Sequence, residues 1–374
     1  MFDFILNRCQ IEMASEDGHG AEEEPAPDKT WEESMQTSHH DRSRHVLPQF
    51  MAGCAVFALA FGLVGAVGIS YAHAEDVIVG LVTKTEVNPF FVKMRQAAEA
   101  EAQTKGLKLI ARAGKFDGDN EGQVAAIEDL ISAGAKGILV TPNNSSGMLG
   151  VIKKARDAGV LVIALDTATD PADAVDATFA TDNLEAGVQQ GAYAKAALGD
   201  KKPVIAMLDG TPGGTVDTFR HDGFLKGFGI AEGDPAIAGA AITNGAQDKA
   251  QVGMENLLSK NGDINVVYTI NEPAAAGGYQ ALKSFGMEKD VILTSIDGGC
   301  AGVRNVKAGI IAATVMQFPY KMASMGVDAV AEYAATGKKP SGFINTGSYL
   351  ITDKPMPGLD SKDSEWGLQN CWGD

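Results

Sequence analysis

The stretch VIVGLVTKTEVNPFFVKMRQAAEAEAQTKG, residues 77–106, decides the fold. Its apolar start predicts a buried strand over 77–83, and the residues after it predict a helix over 89–105. Asn88 is a good N-cap and Pro89 a favoured first helical residue, so the boundary between strand and helix is well marked.

The same alternation of apolar strand and amphipathic helix recurs from residue 75 onward. Further helices are predicted over 121–133 and 146–158, and a glycine follows each of the first three helices. A spacing of roughly 25–30 residues between strands is typical of βαβ units, which form parallel sheets covered by helices on both faces. The predicted strands begin at Val77, Leu107, Gly137, Val160, Val204, Ala236, Ile264, Val291, Ile311 and Phe343. We therefore expect an α/β protein with two doubly wound parallel-sheet lobes.

Composition and motifs exclude several functions. The chain has 374 residues and a net charge of -17, and it lacks the clustered Lys and Arg that nucleic-acid binding requires. No glycine triplet follows the first strand, so no dinucleotide cofactor is expected. His221 is the single histidine after residue 74, and no Cys–His or Ser–His–Asp group can be assigned. We expect neither an enzyme nor a bound cofactor.

The first 74 residues differ from the rest. Residues 1–34 are acidic and aperiodic, which predicts a disordered segment or an artefact of start-site choice. Residues 35–74 contain a basic segment, a long apolar run and a small-x-small sequence ending at Ala74. This order predicts a signal peptide cleaved after Ala74 and export to the periplasm, with a transmembrane anchor as the alternative.

Two cysteines remain after that cleavage, Cys300 and Cys371. Because exported proteins enter an oxidising compartment, we expect a disulfide between them that fastens the C-terminal tail to the IDGGCAG loop. The alternative is a pair of buried thiols.

Short polar side chains follow most of the predicted strands. In an open parallel sheet, ligands bind beyond the carboxyl ends of the strands. Any one of these residues could simply cap a helix or form a turn, but so many together indicate a site for a ligand with several hydroxyls. Arg220 is the one guanidinium nearby. Phe90 and Phe91 cannot both face the sheet, because consecutive helical residues point about 100° apart, so one ring is available for the apolar face of such a ligand.

The motifs NPFF, ALDT, RHDGF, INEP, IDGG and VMQFP occur in this order over some 300 residues. In this respect the chain from about residue 76 resembles the periplasmic sugar-binding proteins of ABC transporters, of the ribose-binding type. The resemblance implies a type I periplasmic binding protein fold, with lobes 75–181 plus 318–344 and 182–317 plus 345–374 joined by a three-strand hinge. It implies ligand contacts from Lys84, Asn88, Phe90, Phe91, Asn144, Asp166, Arg220, Asn271, Asp297 and Gln317.

The resemblance also implies a monosaccharide ligand, a membrane permease as partner and a monomer. Pentose binders of this type usually have Arg after the fourth-strand aspartate, where this chain has Thr167, and an aromatic residue where it has Ile296. A hexose such as fructose is therefore favoured, with a pentose or a polyol as alternatives. A sugar-sensing regulatory or chemotaxis-linked receptor domain of the same fold also remains open.

The segment DGDNEGQVAAIE, residues 117–128, approaches the spacing of an EF-hand calcium loop. The run before it predicts a strand where an EF-hand has a helix. We therefore expect Asp119 or Asn120 to cap the helix that carries Glu128, and we expect no metal site.

Overall fold

A computed structural model of the chain describes residues 77–373. The predicted acidic segment 1–34, the signal peptide 35–74 and the cleavage point after Ala74 lie outside the described residues. Within the described part, no helix combines the length and the apolar character needed to cross a bilayer.

Twelve strands and ten helices alternate along the described chain. The strands are β1 (Ile78–Thr83), β2 (Lys108–Ala113), β3 (Gly137–Val140), β4 (Leu161–Leu165), β5 (Ala177–Ala180), β6 (Ile205–Asp209), β7 (Ile237–Ile242), β8 (Val266–Thr269), β9 (Ile292–Asp297), β10 (Ala313–Met316), β11 (Gly342–Asn345) and β12 (Tyr349–Ile351). The helices are α1 (Pro89–Lys105), α2 (Asn120–Ser132), α3 (Leu149–Asp157), α4 (Asn183–Leu198), α5 (Thr215–Phe228), α6 (Gln247–Lys260), α7 (Glu272–Ser284), α8 (Cys300–Lys307), α9 (Pro319–Thr336) and α10 (Ser364–Asn370).

The strands form two six-stranded sheets. The first has the order β11-β5-β4-β3-β1-β2, with every neighbouring pair parallel. The second has the order β12-β10-β9-β8-β6-β7 and is parallel except for its edge strand β12. Helices α1 and α9 bury one face of the first sheet, and α2 and α3 bury the other. Helices α4 and α5 cover one face of the second sheet, and α6, α7 and α8 cover the other. The predicted α/β class with two parallel-sheet lobes is confirmed.

The ten predicted strand starts lie within two residues of observed ones. Strands β5 and β12 were not predicted, because each is only three or four residues long and lacks a strong apolar run. Helix α3 begins at Leu149 and not at residue 146, since the loop before it turns toward the second sheet.

Local capping follows the sequence. The Asn88 side chain accepts a hydrogen bond from the Phe90 N–H at 3.0 Å, and Gly106 ends α1 with φ of 67°. Asp119 accepts from the Gly122 N–H at 2.9 Å and caps α2, so the helix-cap interpretation of residues 117–128 is confirmed.

The chain passes between the two sheets three times, after β5, after β10 and after β11. Two of these crossings touch, because the Thr181 hydroxyl donates to Gln317 Oε1 at 3.0 Å. The predicted disulfide between Cys300 and Cys371 is confirmed, and it joins the C-terminal tail to the start of α8.

Candidate functional site

A cavity lies between the carboxyl ends of the two sheets. It contains nine of the ten residues expected at the site, drawn from both lobes. They are Lys84, Asn88, Phe90, Phe91, Asp166, Arg220, Asn271, Asp297 and Gln317. Eight of these residues end or follow a strand or lie at the start of a helix at the same edge of a sheet, and Arg220 was predicted from the RHDGF motif within α5.

Asn144 does not line this cavity. Its Oδ1 accepts hydrogen bonds from the backbone N–H groups of Ser146 and Gly147, at 3.1 and 2.7 Å. The residue is therefore used in the turn that precedes α3.

Sequence reasoning missed other residues of the cavity wall. They are Asp117, Gly210, Thr211, Val216, Asp217, Gly245 and Ile270. Asp117, Gly210 and Ile270 lie close after strands β2, β6 and β8, so the strand-end rule could have found them. Asp209, which ends β6, is used elsewhere: its Oδ1 pairs with His221 Nδ1 at 2.8 Å.

Asp166, the first residue after β4, carries a buried carboxylate with an unused oxygen. The residue is 5% exposed, and its backbone φ of 62° lies in the left-handed region that residues other than glycine adopt infrequently. Oδ2 accepts from the Thr167 hydroxyl at 3.2 Å, but among residues 77–373 no donor bonds to the buried Oδ1. Burial raises the pKa of Asp166, while the nearby charges of Arg220 and Lys84 oppose that rise.

Arg220 lies next to this free oxygen and is held rigidly. Its Nε donates to Asn183 Oδ1 at 2.7 Å, and one terminal nitrogen donates to the Ile270 carbonyl at 2.8 Å. The other terminal nitrogen is 3.9 Å from Asp166 Oδ1, which is beyond hydrogen-bond distance. A fixed guanidinium and an unsatisfied carboxylate oxygen thus face the same small space.

Asp297, at the end of β9, is the second buried carboxylate of the cavity. Its Oδ1 accepts from Gln317 Nε2 at 2.9 Å, and its Oδ2 accepts from the Glu272 N–H at 3.3 Å. Burial raises the pKa of Asp297 to about 6, against the favourable charge of Arg220. Its φ of 149° is also unusual for a residue with a side chain. Asp166 and Asp297 therefore both occupy strained backbone positions, a frequent feature of functional sites.

Glu272 holds the loop that directly follows Asp297. Its carboxylate accepts from the Gly298 N–H at 2.9 Å, the Gly299 N–H at 3.1 Å and the Thr314 hydroxyl at 2.9 Å. Burial, together with the neighbouring Asp297, raises the pKa of Glu272 well above its ordinary value. These bonds fix the loop that follows β9 and so fix the direction of Asp297.

Phe90 and Phe91 both line the cavity and both belong to the first lobe's core. They are 4% and 5% exposed, and their rings meet edge to face with centroids 5.4 Å apart. Each ring therefore packs against the sheet with one part and borders the cavity with another. The expectation that both rings cannot face the sheet is not met, because both belong to the core, and contact of either ring with a ligand stays a prediction.

The two lobes touch along the rim of the cavity. Asp117, from the loop after β2, accepts from the Thr211 hydroxyl at 2.6 Å, and its carbonyl accepts from Asn244 Nδ2 at 2.9 Å. Farther along, the Ser145 N–H donates to the Gly213 carbonyl at 2.9 Å. The lobes are therefore in a closed arrangement.

A wider groove of about 660 Å³ adjoins the cavity and shares Asn88, Asp117, Gly245 and Asp297 with it. Its outer edge carries the exposed side chains of Val87 and Phe116. The charged and amide groups converge in the smaller cavity, which is therefore the candidate ligand site. Among the described residues, no group of His, Cys, Asp and Glu is arranged to hold a metal ion.

Comparison with known proteins agrees with this geometry. Residues 79–339 match the model of the periplasmic binding protein domain family. The chain is 32% identical over 300 residues to the ribose import binding protein of Haemophilus influenzae, covering 78% of this chain and 96% of that protein. It is 28% identical over 294 residues to the D-allose-binding periplasmic protein of Escherichia coli, covering 76% and 93%.

Among solved structures, one neighbour is the ABC transporter periplasmic solute binding protein from Actinobacillus succinogenes with bound D-allose. It has a TM-score of 0.67 and 27% identity, and the match covers 74% of this chain and 98% of that structure. The fold and the cavity define a two-lobed ligand-binding protein. The chain belongs to the periplasmic binding protein domain family.

Proposed function

We propose that this protein captures a monosaccharide between its two lobes and delivers it to the membrane permease of an ABC transporter. The observation that carries the proposal is the free oxygen of Asp166. A buried carboxylate oxygen without a donor is costly, and a hydroxyl group of a ligand would satisfy it. The names of the relatives, which bind ribose or allose, favour a sugar as the source of that hydroxyl.

The chemistry of the cavity fits a polyhydroxylated ring. Asp166 and Asp297 accept hydrogen bonds from ligand hydroxyls, and charged acceptors form stronger bonds than neutral ones. Arg220 donates to a ring or hydroxyl oxygen. Phe90 and Phe91 offer apolar surface to the C–H face of the ring. The amides of Asn271 and Gln317 are held by Gly245, Ala274 and Asp297, so they meet a ligand in fixed directions.

A hexose such as fructose is the favoured ligand, with a pentose next. Thr167, where pentose binders of the ribose type usually have arginine, is short and donates to Asp166 Oδ2. Ile296 is fully buried in the core of the second lobe and adds no ring to the cavity. The absence of these two large side chains from the wall favours a ligand larger than ribose.

The protein acts by binding, without catalysis, as a monomer in the periplasm after cleavage at Ala74. The single histidine in the described part, His221, has both ring nitrogens paired with carboxylates, Asp209 at 2.8 Å and Glu232 at 2.9 Å. The lobe division into 75–181 plus 318–344 and 182–317 plus 345–374 belongs to the same proposal. It is supported by the three passages of the chain between the sheets.

A thermal-shift screen of the purified protein against pentoses, hexoses and polyols tests the proposal. A ligand at 100 times its Kd stabilises the folded state by about 2.7 kcal/mol, so a cognate sugar raises the melting temperature by several degrees. We expect a response to one or a few sugars, fructose among them. A screen in which no sugar or polyol shifts the melting temperature contradicts the proposal.

A further inference from the structure

The C-terminal strap, defined here as residues 371–373, extends from the second lobe to the wider groove beside the ligand cavity. Cys371 is bonded to Cys300, the first residue of α8. The Cys300 N–H also donates to the Trp372 carbonyl at 2.9 Å, within a short parallel bridge between Gly299 and Trp372. The strap is therefore fixed to the loop that carries Asp297.

Trp372 contacts two residues of the cavity wall. Its indole Nε1–H donates to the carbonyl of Gln317 at 2.7 Å. Its ring meets the Phe90 ring edge to face, with centroids 5.6 Å apart and planes at 73°. Trp372 is only 4% exposed, so these contacts are shielded from water. Neither the composition of the strap nor its position in the sequence predicted them.

These contacts join a segment of each lobe to a crossing between the two sheets. Trp372 is held by the second lobe, Phe90 starts α1 of the first lobe, and Gln317 lies at a crossing between the sheets. Gln317 in turn donates to Asp297 Oδ1. One indole therefore packs on an aromatic wall residue and holds the backbone of the residue whose side-chain amide donates to Asp297.

We propose that Trp372 is a positioning residue for ligand binding and that the Cys300–Cys371 disulfide holds it in place. The inference rests on the proposed sugar capture. On closure, the second lobe brings the indole against Phe90, and the edge-to-face contact fixes that ring beside the ligand. Release of the strap removes this support, so affinity for the sugar depends on an intact disulfide.

The first test compares Trp372→Phe with Trp366→Phe. Trp366 is a matched control on α10, where its ring packs on Tyr349 outside the cavity lining. The probe is the sugar that gives the largest shift in a screen of D-fructose, D-ribose and D-allose. Trp372→Phe removes a buried hydrogen bond and part of a ring contact, so we expect its Kd to rise about threefold to tenfold. We expect the Kd of Trp366→Phe to stay within about twofold of the wild type, which is a change of less than half a kcal/mol.

Tryptophan fluorescence gives a readout that a merely structural role would leave unchanged. Because the indole of Trp372 lies against the cavity wall, sugar binding should alter its emission. The change on sugar addition should disappear in Trp372→Phe and persist in Trp366→Phe.

The second test replaces both cysteines, Cys300→Ser with Cys371→Ser, alone and combined with Trp372→Phe. Since both changes act through one strap, we expect the combined variant to lose little more affinity than the cysteine variant alone. If the Kd of the combined variant rises by the product of the two separate factors, the disulfide does not act through Trp372 and its proposed role is overturned. An unchanged Kd and an unchanged fluorescence response in Trp372→Phe overturn the role of Trp372. If none of the three sugars binds the wild type, the sugar-capture proposal itself fails for them, and this inference falls with it.

Discussion

The substitution Asp166→Asn tests the buried carboxylate that carries the proposed function. Asparagine keeps the size and shape of the side chain and removes its charge. A hydrogen bond to a charged group contributes about 1.5–3 kcal/mol, so the loss corresponds to a rise in Kd of roughly 10- to 150-fold. The fold should not suffer, because burial opposes the charge of Asp166 and raises its pKa even beside Arg220, so removing the charge also removes a desolvation cost. We expect an unchanged or slightly higher melting temperature.

Asp176→Asn is the matched control in the same lobe. The Asp176 carboxylate accepts from the Val162 N–H at 2.9 Å and pairs with Arg156 at 3.3 Å and Lys339 at 3.1 Å, outside the cavity lining. Its replacement should lower the melting temperature and leave the Kd unchanged. Titration calorimetry of both variants with the sugar identified in the screen gives the two Kd values. If Asp166→Asn binds within twofold of the wild type, the free oxygen of Asp166 is not a ligand contact and the argument from it is wrong.

Three further predictions concern the aromatic wall, the pH dependence of binding and the pH dependence of stability. Phe90→Ala and Phe91→Ala should each weaken the binding of every accepted sugar by a similar factor, because apolar contact does not distinguish hydroxyl patterns. A lowered melting temperature with a normal Kd in both variants would show that the two rings are purely structural. Affinity for the sugar should decrease as the pH falls through about 6, because the pKa of Asp297 is raised to about 6 and its protonation removes an acceptor. Asp297→Asn should flatten that pH dependence, and a wild-type Kd that stays constant from neutral pH to about pH 5 contradicts the role of Asp297. The pKa of His221 is raised from 6.5 to about 9 by its bonds to Asp209 and Glu232, so the stability from its charge is fully present below pH 6.5 and is lost as the pH rises through about 9. His221→Gln should therefore lower the melting temperature near neutral pH but not at about pH 10. An equal loss at both pH values would show that the charge is unimportant.

The sequence predicted most of the strands, several helix starts and the residues after the strands, because these depend on neighbouring residues in the chain. Each βαβ unit carries its own strand and helix, and several helices also carry a capping side chain or a terminal glycine, so strand starts and the residues that follow them could be placed one unit at a time. Asp166, Asn271 and Asp297 were found in this way, because a parallel fold brings every such position to the same edge. The short strands β5 and β12 were missed because three or four residues contain too little periodicity.

Contacts between distant segments could not be predicted in the same way. Asp117 and Thr211 meet only because the lobes are closed, and they are separated by 94 residues in the sequence. Trp372 reaches Gln317 across 55 residues through a disulfide-bound tail. The sequence indicated that the tail is anchored, but the position of its indole depends on how the second lobe approaches the first.

Small-angle X-ray scattering of the protein with and without its sugar tests the central claim most directly. A sugar held between the lobes by Asp166, Arg220 and Asp297 should favour the closed arrangement, in which Asp117 meets Thr211 and Asn244 across the rim. We expect the radius of gyration of the ligand-free protein to exceed that of the saturated protein, and we expect the saturated curve to match the closed structure. An identical radius of gyration at zero and saturating sugar would contradict capture by lobe closure.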